Sequence, residues 1–195
     1  VKDIKAKDKV DIILTNPPFG GIEEDGVQDN FPTNYKTKET ADLFLVLLMY
    51  KLNQTGRAAI VLPDGFLFGE GVKTTIKEKL LNEFNLHTIV RLPNGVFAPY
   101  TGINTNLLFL ERGKTEHIWF YEHQLPQGYK NYTKTKPIKI DEFDAEKAWW
   151  CTEDKSKRKE TDCAWKVSIE DIKARNYNLD FKKNNKNHCK KTFIV

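Results

Sequence analysis

The sequence feature that most constrains this chain is a short apolar run that ends in two consecutive prolines. The run occupies residues 12–14, directly after Asp11, and Asn16, Pro17, Pro18 and Phe19 follow it after a single threonine. Proline has a fixed φ and no backbone N–H, so a strand ladder cannot continue through Pro17 and Pro18. The pattern therefore predicts a buried strand that stops at a stiff loop.

The tip of this loop offers hydrogen-bond acceptors to a ligand. No strand ladder needs the carbonyls beside the prolines, and Asn16 adds a side-chain carbonyl. Two such acceptors match the two hydrogens of a planar amine, for example the exocyclic amine of adenine. By bonding both hydrogens they would favour the pyramidal nitrogen that attacks an electrophile, an interaction that is stronger in the transition state than in the ground state. Phe19 presents an apolar face to a flat base, while Gly20 and Gly21 let the backbone approach it closely.

The remaining apolar segments alternate between helical and extended patterns, which predicts an α/β fold. A helix is expected from Thr40, as its N-cap, to near Gly56. Further strands are expected at 57–62, 86–92, 105–111 and 117–121, and further helices at 70–84, 141–150 and 168–175. Because ligands of open α/β sheets bind outside the carboxyl ends of the strands, the turn at residues 63–65 and the Asn16 loop are expected on one rim.

Composition limits the class of protein but identifies no partner. The chain of 195 residues is long enough for one domain with a proper core, and its net charge of +4 is compatible with a polyanionic partner. The lysine clusters at 155–159 and 182–191 are interpreted as a solvated face or a loose tail rather than a nucleic-acid site. Three cysteines without paired spacing predict neither a disulfide framework nor a metal site, and no apolar run is long enough to span a membrane.

Three segments carry a resemblance to a known family. The tetrapeptide at residues 16–19 resembles the catalytic motif of amino-methyltransferases that use S-adenosylmethionine, in particular adenine-N6 DNA methyltransferases. Residues 56–71 and 89–110 are similar to later motifs of the modification subunit of type I restriction-modification systems, in the same order along the chain. The alternative for the tetrapeptide alone is a turn that merely ends a strand.

The resemblance implies a fold, an activity and partners. The fold would be part of a doubly wound, Rossmann-like methyltransferase sheet with a terminal antiparallel hairpin. Residues 1–122 would form the catalytic-loop half of the methyltransferase domain, and residues 123–195 a C-terminal extension of loops and short helices. The activity would be methyl transfer from S-adenosylmethionine to the N6 amine of adenine in DNA, in the cytoplasm. The partners would be DNA and the specificity and restriction subunits of a type I system, with no metal and no membrane.

The resemblance also assigns roles to individual residues. Asn16, Pro17, Pro18 and Phe19 would form the catalytic loop, with Asn16 and Pro17 also touching the cofactor. A flipped adenine would stack against Phe19 and against an aromatic residue of the later loop, for which the candidates are Phe97 first and Tyr100 second. Either of these two could instead be a hydrophobic anchor beneath its loop.

Two further residues are candidates for a cofactor contact because the start of their helix lies near the cofactor in the family. These are Asp42 and Phe44, although the preferred interpretation of Phe44 is that it belongs to the core. The three tryptophans at positions 149, 150 and 165 are expected to pack onto the sheet rather than to anchor a partner.

The family also has a glycine-rich, cofactor-binding turn ahead of the catalytic loop, and no such turn occurs here. The chain begins at Val1 and its one methionine is Met49, which favours a C-terminal fragment. In such a fragment the strand at residues 10–14 would form an exposed sheet edge. Two other functions stay open: N-methyl transfer to RNA or to a protein glutamine, and an inactive fragment that serves only in assembly.

Overall fold

The structure is a computed structural model that describes residues 1, 3–150 and 154–183. Its strands and helices follow the chain in this order: β1 (Val10–Thr15), α1 (Thr40–Lys51), β2 (Leu52–Pro63), α2 (Asp64–Phe68), α3 (Val72–Glu83), β3 (Phe84–Arg91), β4 (Thr105–Arg112), β5 (His117–Glu122), α4 (Asp144–Trp150), β6 (Ala164–Ser168) and α5 (Ile169–Ala174). Short 3-10 turns occupy the connections, including Ile140–Phe143 before α4. Among the described residues, no helix has the length and apolar character needed to cross a bilayer.

The six strands form one mixed sheet in the order β1-β2-β4-β3-β5-β6. Strands β1 and β2 are parallel, as are β3 and β5, whereas β4 runs antiparallel to both of its neighbours. An antiparallel pair, β5 with β6, ends the sheet. The predicted α/β class with an antiparallel edge is confirmed, but β6 was not predicted. Strands β4 and β5 do not pair with each other because β3 lies between them.

The boundary between α1 and β2 differs from the sequence expectation. The helix ends at Lys51 rather than near Gly56, and β2 begins at once because Leu52 pairs with the first residue of β1. The Arg112 side chain stabilises this end: its Nη2 atom donates to the carbonyl of Met49 at 3.1 Å and to that of Leu52 at 2.9 Å. These are contacts between distant parts of the chain, which a helical pattern of residues cannot reveal.

Two other local expectations are wrong at the ends of α1 and β2. Thr40 is the first helical residue and not the N-cap, because the carbonyl of Glu39 accepts the first helical hydrogen bond, from the backbone N–H of Leu43 at 3.2 Å. The residues after Pro63 form the short helix α2 instead of a simple turn.

The core lies between the sheet and the helices α1 and α3. Fully buried side chains come from both helices and from the central strands, among them Leu45, Val46, Ile60, Ile76, Leu80, Ile89, Leu108 and Leu110. The tryptophans pack as predicted: Trp165 stacks on Phe120, Trp149 lies against Trp119, and Trp150 lies against Phe109 with ring centroids 4.7 Å apart.

The second half of the chain contributes to the same sheet, since β6 pairs with β5 across the expected boundary at residue 122. The division into units 1–122 and 123–195 stays a prediction. Cys163 is disulfide-bonded, which the spacing of the three cysteines did not predict. Spacing along a sequence does not report which thiols meet in space.

Strand β1 forms one edge of the sheet and exposes apolar side chains there. Ile12 is 57% exposed and Leu14 is 78% exposed, so the strand is not buried as its apolar run alone predicted. The exposed edge itself agrees with the expectation drawn from the family resemblance. An apolar edge strand with unpaired backbone groups is a template for pairing with another chain.

We predict that this edge drives self-association of the chain as given. Leu14→Lys should lower the self-association measured by analytical ultracentrifugation, because a charged side chain on an edge strand opposes edge-to-edge pairing. Ile140→Lys is the matched control, since Ile140 is similarly exposed but lies outside the sheet. Equal self-association of the two variants would show that β1 is not the contact.

Candidate active site

Three loops meet on one rim of the sheet. Because β1 and β2 are parallel, the residues that follow them, Asn16 and Asp64, lie at the same rim, as predicted. The loop from Leu92 to Asn104 joins them, since the backbone N–H of Asp64 donates to the carbonyl of Asn104 at 2.9 Å. Asn106 strengthens this junction by donating from its Nδ2 atom to the Asp64 carboxylate at 2.7 Å.

The loop at residues 16–19 keeps two acceptors available. Asn16 is exposed and Pro17 is buried. In the described part of the chain, no hydrogen bond uses the Asn16 side chain or the Pro17 carbonyl. The geometry that the sequence suggested, two neighbouring acceptors at a strand end, is therefore compatible with the structure.

The glycines after Phe19 hold this loop against the start of α1. Gly20 has a φ of +69°, in the left-handed region that favours glycine. A Cβ atom at Gly21 would lie 2.7 Å from the Thr40 hydroxyl oxygen, so only glycine permits this close packing. The loop at residues 16–21 and the helix that carries Asp42 and Phe44 are thereby fixed to each other.

The structure brings two of the predicted stacking residues together. The ring centroids of Phe19 and Phe97 are 5.2 Å apart, with an angle of 73° between the ring planes. Carbon atoms in contact lie 3.5–4.0 Å apart, so a base between two parallel rings needs a separation of about 7 Å. The rings must therefore separate to admit a base. Tyr100 is 92% exposed and lies at the tip of the same loop.

The two helix residues suggested as cofactor contacts have different surroundings. Asp42 is 2% exposed, and Lys73 Nζ lies 2.5 Å from its carboxylate and 2.6 Å from that of Glu39. Burial raises the pKa of the Asp42 carboxyl, and the hydrogen bond from Lys73 opposes the rise. Phe44 is 36% exposed, so the expectation that it belongs to the core is wrong. Its position on α1 turns it away from the buried side chains on either side of it.

A lysine that the sequence patterns did not indicate is buried behind the site. Lys77 is fully buried, and its ammonium donates to the carbonyls of Leu67 and Gly69 at 3.0 and 2.8 Å, at the end of α2. Burial lowers the pKa of Lys77 to about 8. Nothing in a helical repeat distinguishes such a lysine from an exposed one, so no sequence signal could have found it.

No sequence pattern indicated a cavity of about 470 Å³ on the same rim, between the Leu92–Asn104 loop and residues from 122–124, 162–165 and 182–183. Arg91 lies in its wall and pairs with Asp180 at 2.7 Å. Other lining residues are Asp64, Asn94, Asn104, Glu122, His123, Gln124, Trp165 and Lys182. Within the described ranges, no group of three or more histidine, cysteine or carboxylate side chains could hold a metal ion.

Comparison with known proteins identifies the family. A family model described as N-6 DNA Methylase matches residues 2–192. The chain belongs to the N-6 DNA methylase family. The chain is 62% identical, over 178 residues, to the methylase subunit of the type I restriction enzyme EcoEI from Escherichia coli. The match covers 90% of the chain and 36% of that relative, so the chain spans about a third of its length.

Solved structures agree with this assignment. The chain superposes on a modification subunit assigned to a type I restriction enzyme from Vibrio vulnificus with a TM-score of 0.85 and 49% identity. That superposition covers 93% of this chain and 40% of the other. A structure described for complex assembly and conformational transition of the type I restriction-modification system also gives a TM-score of 0.85, at 37% identity over 93% of this chain and 39% of that one.

We predict that the Asp42–Lys73 pair stabilises the start of α1 and α3. Lys73→Met should lower the free energy of unfolding by about 3 kcal/mol, because it leaves a buried carboxylate without its cation. Lys79→Met is the matched control on the same helix; its partner Glu83 is half exposed, so the loss should be about 1 kcal/mol or less. Urea titration followed by circular dichroism measures both.

The defect of Lys73→Met should also depend on pH. The folded Asp42 carboxyl holds its proton more tightly than the unfolded one, because its pKa is raised on folding. The free energy of unfolding therefore falls as the pH rises through the pKa of the folded Asp42 carboxyl. Without Lys73, which lowers this pKa, the fall continues to higher pH. The difference from the wild type should be largest near neutral pH and should shrink toward about pH 4. A difference that does not change with pH would contradict the assignment to Asp42.

Proposed function

We propose that this chain carries the target-base site of an adenine-N6 DNA methyltransferase that works within a type I restriction-modification system. The observation that carries the proposal is the arrangement of Asn16 and Pro17, whose acceptors are unused among the described residues, beside the edge-to-face rings of Phe19 and Phe97. This arrangement suits a flat base that bears an exocyclic amine. The family assignment, in which the relatives are methylase subunits by name, supports the same activity.

The amine would bind at the acceptor pair. One N–H of adenine N6 donates to Asn16 Oδ1 and the other to the carbonyl of Pro17, which draws the nitrogen lone pair out of conjugation with the ring. S-adenosylmethionine, when bound, supplies a methyl group that is already strongly electrophilic. The work left to the protein is to align and polarise the amine, and the stiffness of the Pro17–Pro18 turn keeps the acceptors in place.

The aromatic pair would replace the stacking that a base loses when it leaves the duplex. An adenine inside DNA cannot reach a protein pocket until it is flipped out. The two rings contact each other edge to face, so the apolar site stays covered until a base enters. Phe19 belongs to the stiff loop, whereas Phe97 belongs to a long loop with an exposed tip. Entry of a base therefore moves Phe97 more than Phe19, and Tyr100 remains the second candidate.

The residues on α1 fit a cofactor unequally. The exposed ring of Phe44 could lie against the planar purine of S-adenosylmethionine, next to the catalytic loop that Gly21 holds in place. Asp42 would reach a cofactor only by exchanging its bond to Lys73, because it is otherwise enclosed. We propose Asn16, Pro17 and Phe44 as direct contacts, and Asp42 as a residue that could reach the cofactor in this way.

The partners follow from the same proposal. The chain would act on DNA together with the specificity and restriction subunits of a type I system. Support comes from the printed names of its relatives, which are subunits of such enzymes, and from a structural neighbour described for type I complex assembly. A cytoplasmic location would accompany a DNA substrate.

We predict that the protein methylates adenine in DNA and that Asn16 is essential for this activity. The protein is expressed from its native gene together with its partner subunits, and incubated with unmodified DNA and S-adenosylmethionine. N6-methyladenine is measured by mass spectrometry. Asn16→Ala should lower kcat by roughly 10²–10³-fold, the usual loss when one transition-state hydrogen bond is removed.

The matched control is Asn53→Ala, at the far end of the neighbouring strand, where the side chain donates only to Asp11. This variant should keep wild-type activity. Methylated RNA or protein glutamine with no methylated DNA would assign the other substrate class. Absence of any methylated product from the wild-type assembly would contradict the catalytic proposal.

A further inference from the structure

A buried cluster of polar side chains lies behind the base-stacking loop, in the part of the chain where the sequence carried no functional signal. His123 is at its centre. Its Nδ1 atom is 2.5 Å from the Glu146 carboxylate, and its Nε2 atom is 3.2 Å from the Tyr132 hydroxyl. That hydroxyl in turn donates to the carboxylate of Glu142. His123, Tyr132 and Glu146 are buried, and Glu142 is half-buried.

The cluster joins segments that are far apart in sequence. The backbone N–H of His123 donates to the carbonyl of Arg91, the last residue of β3, at 3.0 Å. Glu146 belongs to α4, and Tyr132 belongs to the connection between β5 and that helix. Burial, together with the hydrogen bond to Glu142, raises the pKa of the Tyr132 hydroxyl, so that it remains a donor near neutral pH. The four side chains therefore tie the extension to the end of β3.

The backbone of Tyr132 connects the cluster to the loop that carries Phe97. Its backbone N–H donates to the carbonyl of Asn94 at 3.0 Å. Its carbonyl lies so close to Gly95 that a Cβ atom there would come within 2.0 Å of it, and the φ of +83° at Gly95 also favours glycine. The Asn131 side chain donates to the same carbonyl at 2.8 Å, which holds it in this orientation.

A compact hydrogen-bonded turn connects Gly95 with Phe97. The backbone N–H of Ala98 donates to the carbonyl of Gly95 at 3.0 Å, and those of Tyr100 and Thr101 both donate to the carbonyl of Phe97. A shift of Gly95 would therefore carry Phe97 with it. The tip of the loop beyond Phe97 is exposed, so the constraint acts on the base of the loop and leaves the tip free.

We propose that His123, Tyr132, Glu142 and Glu146 are positioning residues for base flipping. They hold the Tyr132 backbone against Asn94 and Gly95. This contact fixes the position of the start of the loop, and Phe97 moves relative to that position when a base enters. The inference rests on the proposed function, because it gives the cluster a role in that same site. None of the four side chains needs to touch the base or the cofactor for this role.

The first test measures the loop directly in the chain as given. Tyr132→Phe removes one hydroxyl and leaves the ring in place. Hydrogen exchange followed by mass spectrometry should show about tenfold faster exchange in residues 94–101, because the backbone contact loses the bonds that orient it. Exchange in β4 should stay unchanged, which separates a local effect from global destabilisation.

Tyr129→Phe is the matched control. It removes a hydroxyl three residues away that forms no hydrogen bond in the described part of the chain. Its exchange in residues 94–101 should equal that of the wild type. If Tyr132→Phe fails to fold, Glu146→Gln tests the same cluster with a smaller change. Unchanged exchange in residues 94–101 for the folded variant would overturn the inference.

The second test uses the assembled enzyme on DNA with 2-aminopurine, an adenine analogue that brightens when it leaves the stack, at the target position. Tyr132→Phe should lower the fluorescence amplitude and lower kcat about tenfold, while the KM for S-adenosylmethionine stays at the wild-type value. A variant with a faster-exchanging loop but wild-type flipping and kcat would overturn the positioning role. An inactive wild-type assembly would instead remove the proposed function on which the inference rests.

Discussion

The parallel pairing of β1 with β2 is the interaction on which the candidate site depends. This pairing places Asn16, the residue after β1, at the same rim as the end of β2. Strand β4 then runs antiparallel beside β2, so that Thr105 pairs with Pro63 and the Leu92–Asn104 loop returns to that rim. Phe19 and Phe97 are 78 positions apart in sequence, and they meet for this reason. If β4 were not antiparallel to β2, the loop that carries Phe97 would not return to the rim where Phe19 lies.

The proposed site combines a stiff half with a movable half, which is the loop that must move when a base enters. The stiff half is the loop at residues 16–21, where two prolines fix the backbone and Gly21 packs against Thr40. The movable half is the Phe97 loop, which is held at its first residues by Tyr132 and at its last by the hydrogen bond between Asp64 and Asn104. Hydrogen-bond acceptors need fixed positions to polarise an amine, whereas a stacking ring must make room for a base. The division of the site between two loops meets both requirements.

The parts of this arrangement that are encoded locally could be predicted from the sequence. Two prolines after an apolar run are a local signal, and so is the alternation that gave most strands and helices within a few residues. The pairing of Phe19 with Phe97 came from resemblance to a family, since no local pattern connects the two rings. Strand β6, the buried Lys77 and the His123 cluster could not be predicted, because each owes its place to contacts with distant segments. The end of α1 was misplaced for the same reason, since Arg112 stabilises it from another strand.

The most direct test of the account is a structure of the assembled enzyme bound to DNA that contains its target adenine. We predict a flipped adenine between Phe19 and Phe97, with the ring centroids separated to about 7 Å. The adenine N6 atom should lie within about 3.2 Å of Asn16 Oδ1 and of the Pro17 carbonyl. A flipped base stacked on Tyr100 would change the assignment of the second ring. An adenine bound elsewhere, with Phe19 and Phe97 still in contact, would contradict the account.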